Sequence, residues 1–250
     1  NEVKEFPKNV VQQVFSREDV AEMLKCDNYI NLIIPRGGNK LVKFIKENTK
    51  IPVLGHASGI CHIFVDKSAD IEMASRVVID AKTQHPSACN AVETLLIHKD
   101  FPKANDLLAS LQLSEIKLVP NPEDWSTEYG DKILSYKFVD SLDEAIEHIN
   151  TYGSGHTDSI ITKDIQNAEK FMNNVDSAGV YMNASTRFAD GFRYGFGAEV
   201  GISTNKTHAR GPVGLEGLTI YKYKLIGNGN IVDDYVKGTK HFHHKDLPCS

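Results

Sequence analysis

Ile60-Cys-His-Ile-Phe-Val65 and Glu93-Thr-Leu-Leu-Ile-His98 are two short apolar runs separated by a helical pattern. Residues 70–82 repeat apolar side chains at helical spacing, and Pro86 ends that pattern. A strand, a helix and a second strand in this order indicate a parallel pair, because buried parallel strands are apolar on both faces. The sequence therefore predicts an α/β fold built on a mostly parallel sheet.

The same alternation extends in both directions along the chain. Further strands are predicted at residues 29–34, 51–54, 116–119, 133–139, 159–162 and 179–182. Further helices are predicted to open at Ser16-Arg-Glu-Asp19 and Ser141-Leu-Asp-Glu144, both capping boxes, and over residues 41–45, 105–113 and 162–175. Residues 187–217 show little periodicity and are predicted to be a functional loop. Gly227-Asn-Gly-Asn230 between residues 218–226 and 231–236 predicts a C-terminal β-hairpin.

Composition narrows the class of function. The chain has 250 residues, 41% of them hydrophobic, which is enough for a real core. Its net charge of −5 lacks the basic excess of nucleic-acid-binding proteins, and its longest uncharged stretch, residues 51–65, is too short to cross a membrane. The four cysteines form no CxxC pair, which favours free thiols in a reducing compartment such as the cytoplasm. The chain opens without Met, and we expect a fragment or a processed product.

Cys89 is the best candidate for a nucleophile. It lies in Pro86-Ser-Ala-Cys-Asn90, at a break between a predicted helix and a buried strand, where small neighbours leave the sulfur approachable. Cys61 is expected to be a core residue, and no catalytic role is expected for Cys26 or Cys249. The histidines of His241-Phe-His-His244 lack the fixed spacing of a metal site, so no metal is expected.

Two further features suit an anionic ligand. Pro35-Arg-Gly-Gly38 resembles a phosphate cradle, since glycines let backbone amides approach a ligand at a helix N-terminus, although a plain tight turn explains it as well. The cations Arg187, Arg193, His208 and Arg210 suit a carboxylate or phosphate, and ion pairs with Asp190 and Glu199 are the equal alternative.

Four long motifs, in order along the chain, resemble γ-glutamyl phosphate reductase, a family of the aldehyde dehydrogenase superfamily. They are Leu32-Ile-Ile-Pro-Arg-Gly-Gly38, Pro52-Val-Leu-Gly-His-Ala-Ser-Gly-Ile-Cys-His62, Pro86-Ser-Ala-Cys-Asn-Ala-Val-Glu-Thr-Leu-Leu96, and Asn183-Ala-Ser-Thr-Arg-Phe188 through His208-Ala-Arg-Gly-Pro-Val-Gly214. The resemblance implies reduction of γ-glutamyl phosphate by NADPH to glutamate 5-semialdehyde in proline biosynthesis. It also implies a homo-oligomer and association with glutamate 5-kinase.

The resemblance assigns roles residue by residue. Cys89 is the nucleophile that forms a thioester. The cofactor contacts are Pro35, Arg36, Gly37, Gly38, Asn39 and Glu128, the last in Thr127-Glu-Tyr-Gly130. The substrate contacts are Asn90, Arg187, His208, Arg210 and Gly211. The implied fold is aldehyde-dehydrogenase-like, with residues 1–84 as part of an incomplete Rossmann-like NADPH-binding domain, 85–217 as the catalytic domain, and 218–250 as an oligomerisation hairpin and tail.

Two departures from the family pattern leave alternatives open. Gly55-His-Ala-Ser-Gly59 stands where hydrolytic aldehyde dehydrogenases carry a Glu that activates water, which fits a reductase. The family's upstream portion, which chooses between NADPH and NADH, is not in this sequence. A noncatalytic assembly module and a cysteine hydrolase are the rival interpretations.

Overall fold

The computed structural model describes residues 9–55, 58–206 and 208–244. The chain separates into two compact units at the bond between Leu218 and Thr219. In the first unit, six strands form one sheet in the spatial order β3-β4-β2-β1-β5-β6, and every pairing is parallel. The strands are β1 (Cys61–Val65), β2 (Val92–His98), β3 (Lys117–Pro120), β4 (Ile133–Val139), β5 (Thr157–Ile161) and β6 (Gly179–Met182). The predicted parallel α/β sheet is confirmed.

Helices cover both faces of this sheet. The helices of the first unit are α1 (Arg17–Met23), α2 (Asn39–Glu47), α3 (Ile71–Thr83), α4 (Ala104–Leu113), α5 (Leu142–Tyr152) and α6 (Ile165–Asn174). α3 and α4 pack on Ile63, Val65, Leu95 and Ile97, and α5 and α6 pack on the alternate residues Phe64, Leu96 and Ile160. Successive strand residues point to opposite faces, which is why β1, β2 and β5 are buried along their whole length.

The local start signals read from the sequence are borne out. Ser16 and Asp19 form the predicted capping box of α1, and the Ser141 hydroxyl accepts a hydrogen bond from the backbone N–H of Glu144 at the start of α5. The predicted box at Ser141 forms only in this half, because the Glu144 carboxylate accepts the N–H of Asp140 at 2.7 Å. α6 begins at Ile165, because the Asp164 carboxylate accepts hydrogen bonds from the backbone N–H groups of Gln166 and Asn167. Side-chain oxygens at these positions satisfy donors that the first turn of a helix leaves open.

The predicted strands at residues 29–34 and 51–54 are reduced to one parallel bridge between Ile33 and Val53. The backbone N–H of Ile33 donates to Pro52 O at 2.9 Å, and that of Leu54 donates to Ile33 O at 2.8 Å. Pro35 follows the first segment and Pro52 lies within the second, and a proline has no N–H with which to continue a ladder. Ile33 packs with Leu24, Ile45 and Ile51 in a small core of its own.

The C-terminal hairpin prediction is wrong for this structure. Residues 219–231 form no strand, and residues Val232–Val236 form a short helix, α7. Ile220, Tyr223, Leu225 and Ile226 are almost fully exposed. An isolated two-stranded ribbon buries too little apolar surface to be stable alone, so turn chemistry is not sufficient to form it.

The stretch 187–217, predicted to be irregular, contains one small antiparallel ribbon of β7 (Gly201–Ser203) and β8 (Gly211–Val213). The functional division at residues 84 and 217 stays a prediction. No helix within the described ranges is long and apolar enough to cross a membrane.

Candidate functional site

A cavity of about 250 Å³ lies within the first unit, beside the N-terminus of α2. Its lining includes the loop residues Pro35, Arg36, Gly37 and Gly38, together with Glu128 and Gly201. The structure therefore brings five of the six predicted cofactor residues to one cavity, although Glu128 is far from the others in sequence. The sixth, Asn39, begins α2, and its side chain lies outside what the structure describes.

The N-terminus of α2 suits an anionic group. Gly38 is the N-cap residue in an extended conformation, and the first turn of α2 carries no acidic side chain. The first N–H groups of a helix have no partner within it and attract anions. A Cβ added to Gly38 would meet no atom within 4 Å, so the loop leaves open space beside those donors. The residues present thus fit the pyrophosphate of a dinucleotide.

Cys89 lies in the turn between α3 and β2, and it is half-buried. Its backbone packs against Gly59, a cavity-lining residue, so closely that a Cβ on Gly59 would lie 2.5 Å from the Cα of Cys89. The buried thiol of Cys61 donates to the carbonyl oxygen of Cys89 at 3.5 Å. The candidate nucleophile is therefore held next to the wall of the cavity.

The surroundings of Cys89 disfavour a free thiolate. Burial raises the pKa of the Cys89 thiol, the carboxylates of Glu128 and Glu199 raise it further, and the Arg187 guanidinium opposes them. The thiol is consequently protonated at neutral pH in the structure as it stands. Glu128 and Arg187, a predicted cofactor residue and a predicted substrate residue, thus have opposite electrostatic effects on the thiol of the predicted nucleophile.

Asn90 is buried and joins the Cys89 turn to the 3₁₀ helix Thr186–Phe188. Its amide Nδ2 donates to Ala189 O at 2.9 Å, and the hydroxyl of Thr186 donates to Asn90 O at 2.7 Å. These two bonds place Arg187 beside the cysteine. Thr186 lies in the quoted motif but is not among the predicted site residues, because its role depends on a contact made across 96 positions. Direct contact of Asn90 with the substrate stays a prediction.

The predicted substrate cations have different surroundings. Arg187 is half-buried, and its Nε donates to Gln84 Oε1 at 2.9 Å. Arg210 forms an ion pair with Asp176 at 3.0 Å. His208 is exposed, and Gly211, with a φ of +83°, begins β8.

The alternative of surface ion pairs holds in part. Arg193 pairs with Asp190 at 3.7 Å, whereas Glu199 accepts the N–H of Gly191 at 2.9 Å. No group of three His, Cys, Asp or Glu side chains is placed to hold a metal in the ranges that the structure describes, and Cys249 lies outside them.

Comparison with known proteins adds to this geometry. The γ-glutamyl phosphate reductase of Brachyspira hyodysenteriae is 59% identical over 99% of this chain and 61% of that protein. This chain is a relative of the γ-glutamyl phosphate reductases. The enzyme of the same name from Acetivibrio thermocellus is 57% identical over 97% of this chain and 60% of its own length. The chain thus spans about three fifths of the length of these relatives.

The structural comparison agrees. The crystal structure of γ-glutamyl phosphate reductase from Thermotoga maritima matches with a TM-score of 0.82 and 46% identity, over 86% of this chain and 56% of that one. Residues 125–201 match the model of the aldehyde dehydrogenase family. The NADP-dependent glyceraldehyde-3-phosphate dehydrogenase of Bacillus halodurans, at 18% identity, shares the fold with a TM-score of 0.59 over 69% of this chain and 48% of that one. The aldehyde-dehydrogenase-like fold and the resemblance drawn from the sequence motifs are confirmed.

Proposed function

We propose that this chain carries the nucleophile and part of the cofactor site of an enzyme that reduces γ-glutamyl phosphate with NADPH. The products are glutamate 5-semialdehyde and phosphate, in proline biosynthesis. The observation that carries the proposal is that Pro35–Gly38 and Glu128 line one cavity, and that Gly59 in the same lining packs against the backbone of Cys89. The relatives' name supports the same substrate and reaction.

Cys89 would act as the nucleophile. Once deprotonated, its thiolate attacks the γ-acyl carbon, the bond to the phosphate oxygen breaks, and phosphate leaves with the electron pair. NADPH, when bound, supplies the hydride that reduces the thioester carbon. The bond between carbon and sulfur then breaks, which releases the aldehyde and regenerates the thiolate. The Arg187 cation opposes the groups that raise the pKa of the thiol and so favours the reactive form.

The other residues would bind and orient. Pro35, Arg36, Gly37, Gly38 and Asn39 would hold the pyrophosphate, and Glu128 would accept hydrogen bonds from the nicotinamide ribose. The glutamyl end would contact Asn90, Arg187, His208, Arg210 and Gly211. Within this set, the charge of Arg187 favours the thiolate of Cys89, which supports its place near the reacting group.

Water must be kept from the thioester for the aldehyde to form. Gly55-His-Ala-Ser-Gly59 contains no Asp or Glu where hydrolytic aldehyde dehydrogenases carry the Glu that activates water. This favours a reductase over a cysteine hydrolase, which would release glutamate instead of the semialdehyde. Identification of the product distinguishes the two.

The test is turnover of Cys89→Ser, measured as NADPH formation from glutamate 5-semialdehyde, phosphate and NADP. It is run with the 250-residue chain and with the chain extended to the length of its relatives. We expect no turnover in Cys89→Ser and wild-type turnover in Cys26→Ser, a matched control at another free, half-buried thiol. Activity in folded Cys89→Ser contradicts the assignment. Inactivity of both chain lengths, without saturable binding of NADPH, favours the noncatalytic assembly module.

The proposal also includes self-association, location and a partner. Residues 218–250 would mediate a dimer or a larger oligomer, which their exposed apolar side chains favour. The free thiols favour the cytoplasm. Association with glutamate 5-kinase would protect the acyl phosphate, which water hydrolyses, during transfer. Sedimentation of the chain with and without residues 218–250 tests the first of these.

A further inference from the structure

A buried ion pair joins the helix before Cys89 to the strand after it. Lys82, in the last turn of α3, donates from Nζ to Oε2 of Glu93 on β2 at 2.8 Å. Both side chains are almost fully buried, at 0% and 1% exposure. The free energy lost by removing two charges from water commonly cancels their attraction. Such a buried pair therefore need not stabilise the fold.

The second oxygen of Glu93 faces the loop that carries Glu128. Oε1 of Glu93 accepts the backbone N–H of Gly130 at 3.4 Å, and the N–H of Tyr129 also stabilises the carboxylate. Gly130 adopts a φ of +62°, so the loop turns sharply at the residue that the carboxylate contacts. Glu128, which lines the cavity, is two residues away along the chain.

Lys82 keeps this carboxylate charged. Burial raises the pKa of Glu93 to about 6, and the attraction of Lys82 opposes a larger shift. A carboxylate accepts hydrogen bonds from backbone N–H groups more strongly than a neutral acid does. The ion pair therefore gives the Glu128 loop a charged anchor that lies four positions beyond Cys89 in the chain.

We propose that Lys82 and Glu93 are positioning residues, which hold the loop of residues 128–130 so that Glu128 faces the cofactor cavity. Neither residue lines that cavity, so they act through the loop. The identity of the ligand at Glu128 rests on the proposed function, whereas the anchoring of the loop does not.

Two double variants separate anchoring from stability. Lys82→Met with Glu93→Met replaces the pair by apolar side chains of similar size, which is often neutral for stability, but it removes the acceptor for Gly130. Lys82→Met with Glu93→Gln removes both charges and keeps an amide oxygen for Gly130. Phe171→Leu, a core change in α6 on the other face of the sheet, controls for general loss of stability.

The readouts are hydrogen exchange of residues 126–131 without ligand and the dissociation constant of NADPH. We expect the double Met variant to exchange faster there and to bind NADPH about tenfold more weakly, as for one lost hydrogen bond to a charged group. Phe171→Leu should remain within about threefold of wild type, and the Met/Gln variant should fall between it and the double Met variant, because its amide oxygen is a neutral acceptor.

Wild-type exchange and affinity in a folded double Met variant overturn the proposal. If that variant does not fold, Glu93→Asp takes its place, since it keeps the charge but shortens the reach by one methylene. Unchanged exchange and affinity in Glu93→Asp then overturn the proposal. If wild type binds no NADPH, the cofactor part of the proposed function fails, and the exchange result alone decides whether the pair positions the loop.

Discussion

Substitution of Gly59 by Ala tests whether close packing behind Cys89 sets its reactivity. The added Cβ would lie 2.5 Å from the Cα of Cys89 and 2.6 Å from its carbonyl carbon. Nonbonded carbon atoms rest about 3.5–4.0 Å apart, so the backbone of Cys89 must move by about 1 Å. Because the clash is with backbone, no rotamer change relieves it.

Such a displacement should affect rate more than folding. Overpacking of this kind costs about 1–3 kcal/mol of stability. A misplacement of about 1 Å at a reacting group lowers the rate about 100-fold. We therefore expect Gly59→Ala to fold with a lowered melting temperature. Because Cys89 is displaced, the variant should lose about two orders of magnitude in kcat.

The assay is steady-state turnover beside thermal unfolding, with Gly179→Ala as the control. A Cβ on Gly179 would lie 3.2 Å from side-chain oxygens of Thr157 and Tyr181, which are able to yield. Gly179→Ala should lose no more stability than Gly59→Ala and should keep the wild-type kcat. Full activity in Gly59→Ala would refute the reasoning that Cys89 is held at the cavity by this contact.

Three further predictions concern charge at and around the site. Glu128→Gln removes a carboxylate that raises the pKa of Cys89. Alkylation of Cys89 by iodoacetamide should therefore begin at lower pH. Mass spectrometry of the peptide that contains Cys89 measures it. Arg187→Met removes the opposing cation and should move the pH profile of Cys89 alkylation to higher pH. It should also raise KM for the glutamyl substrate about tenfold, as for a lost hydrogen bond to a charged group. An unchanged alkylation profile contradicts the placement of Arg187 near Cys89. Burial and the neighbouring His62 lower the pKa of His148 to about 3 from 6.5, so the unfolded chain binds a proton that the native protein excludes. The free energy of unfolding should therefore fall by about 1.4 kcal/mol per pH unit from that group as the pH drops below 6.5. His148→Phe should flatten that slope in urea unfolding at pH 7 and pH 5, and an unchanged slope contradicts the assignment.

Local signals in the sequence predicted the sheet and most of its helices correctly. The N-cap signals at Ser16 and Ser141 and the apolar runs of β1 and β2 depend on neighbours within a few positions, so the sequence predicts them directly. The strands around Ile33 and Val53 could not, because a ladder needs partners on both sides that the local pattern does not reveal. The hairpin predicted after Leu218 is absent from the described residues for the same reason. Gly227-Asn-Gly-Asn230 suits a turn, but the apolar side chains around it stay exposed in the described part of the second unit.

The candidate site was predictable where motifs are long. The motifs name Cys89, Pro35–Gly38 and Glu128; the structure brings Pro35–Gly38 and Glu128 to one cavity and packs the Cys89 backbone against Gly59 in its wall. The contacts that hold them were not predicted: Gly59 against Cys89, and Lys82 with Glu93 beneath the Glu128 loop, join residues whose spacing carries no periodic signal. Its charge and the family resemblance group Arg210 with Arg187, whereas its ion pair with Asp176 depends on how the chain folds.

The most direct test of the account is to look for the acyl group on the protein itself. γ-Glutamyl phosphate is generated in the reaction by glutamate 5-kinase and ATP, NADPH is omitted, and the protein is quenched in acid and digested for mass spectrometry. The account predicts a γ-glutamyl thioester on the peptide that contains Cys89, which disappears when NADPH is added and does not form in Cys89→Ser. Turnover with an unmodified Cys89, or an acyl group carried by another residue, would contradict it.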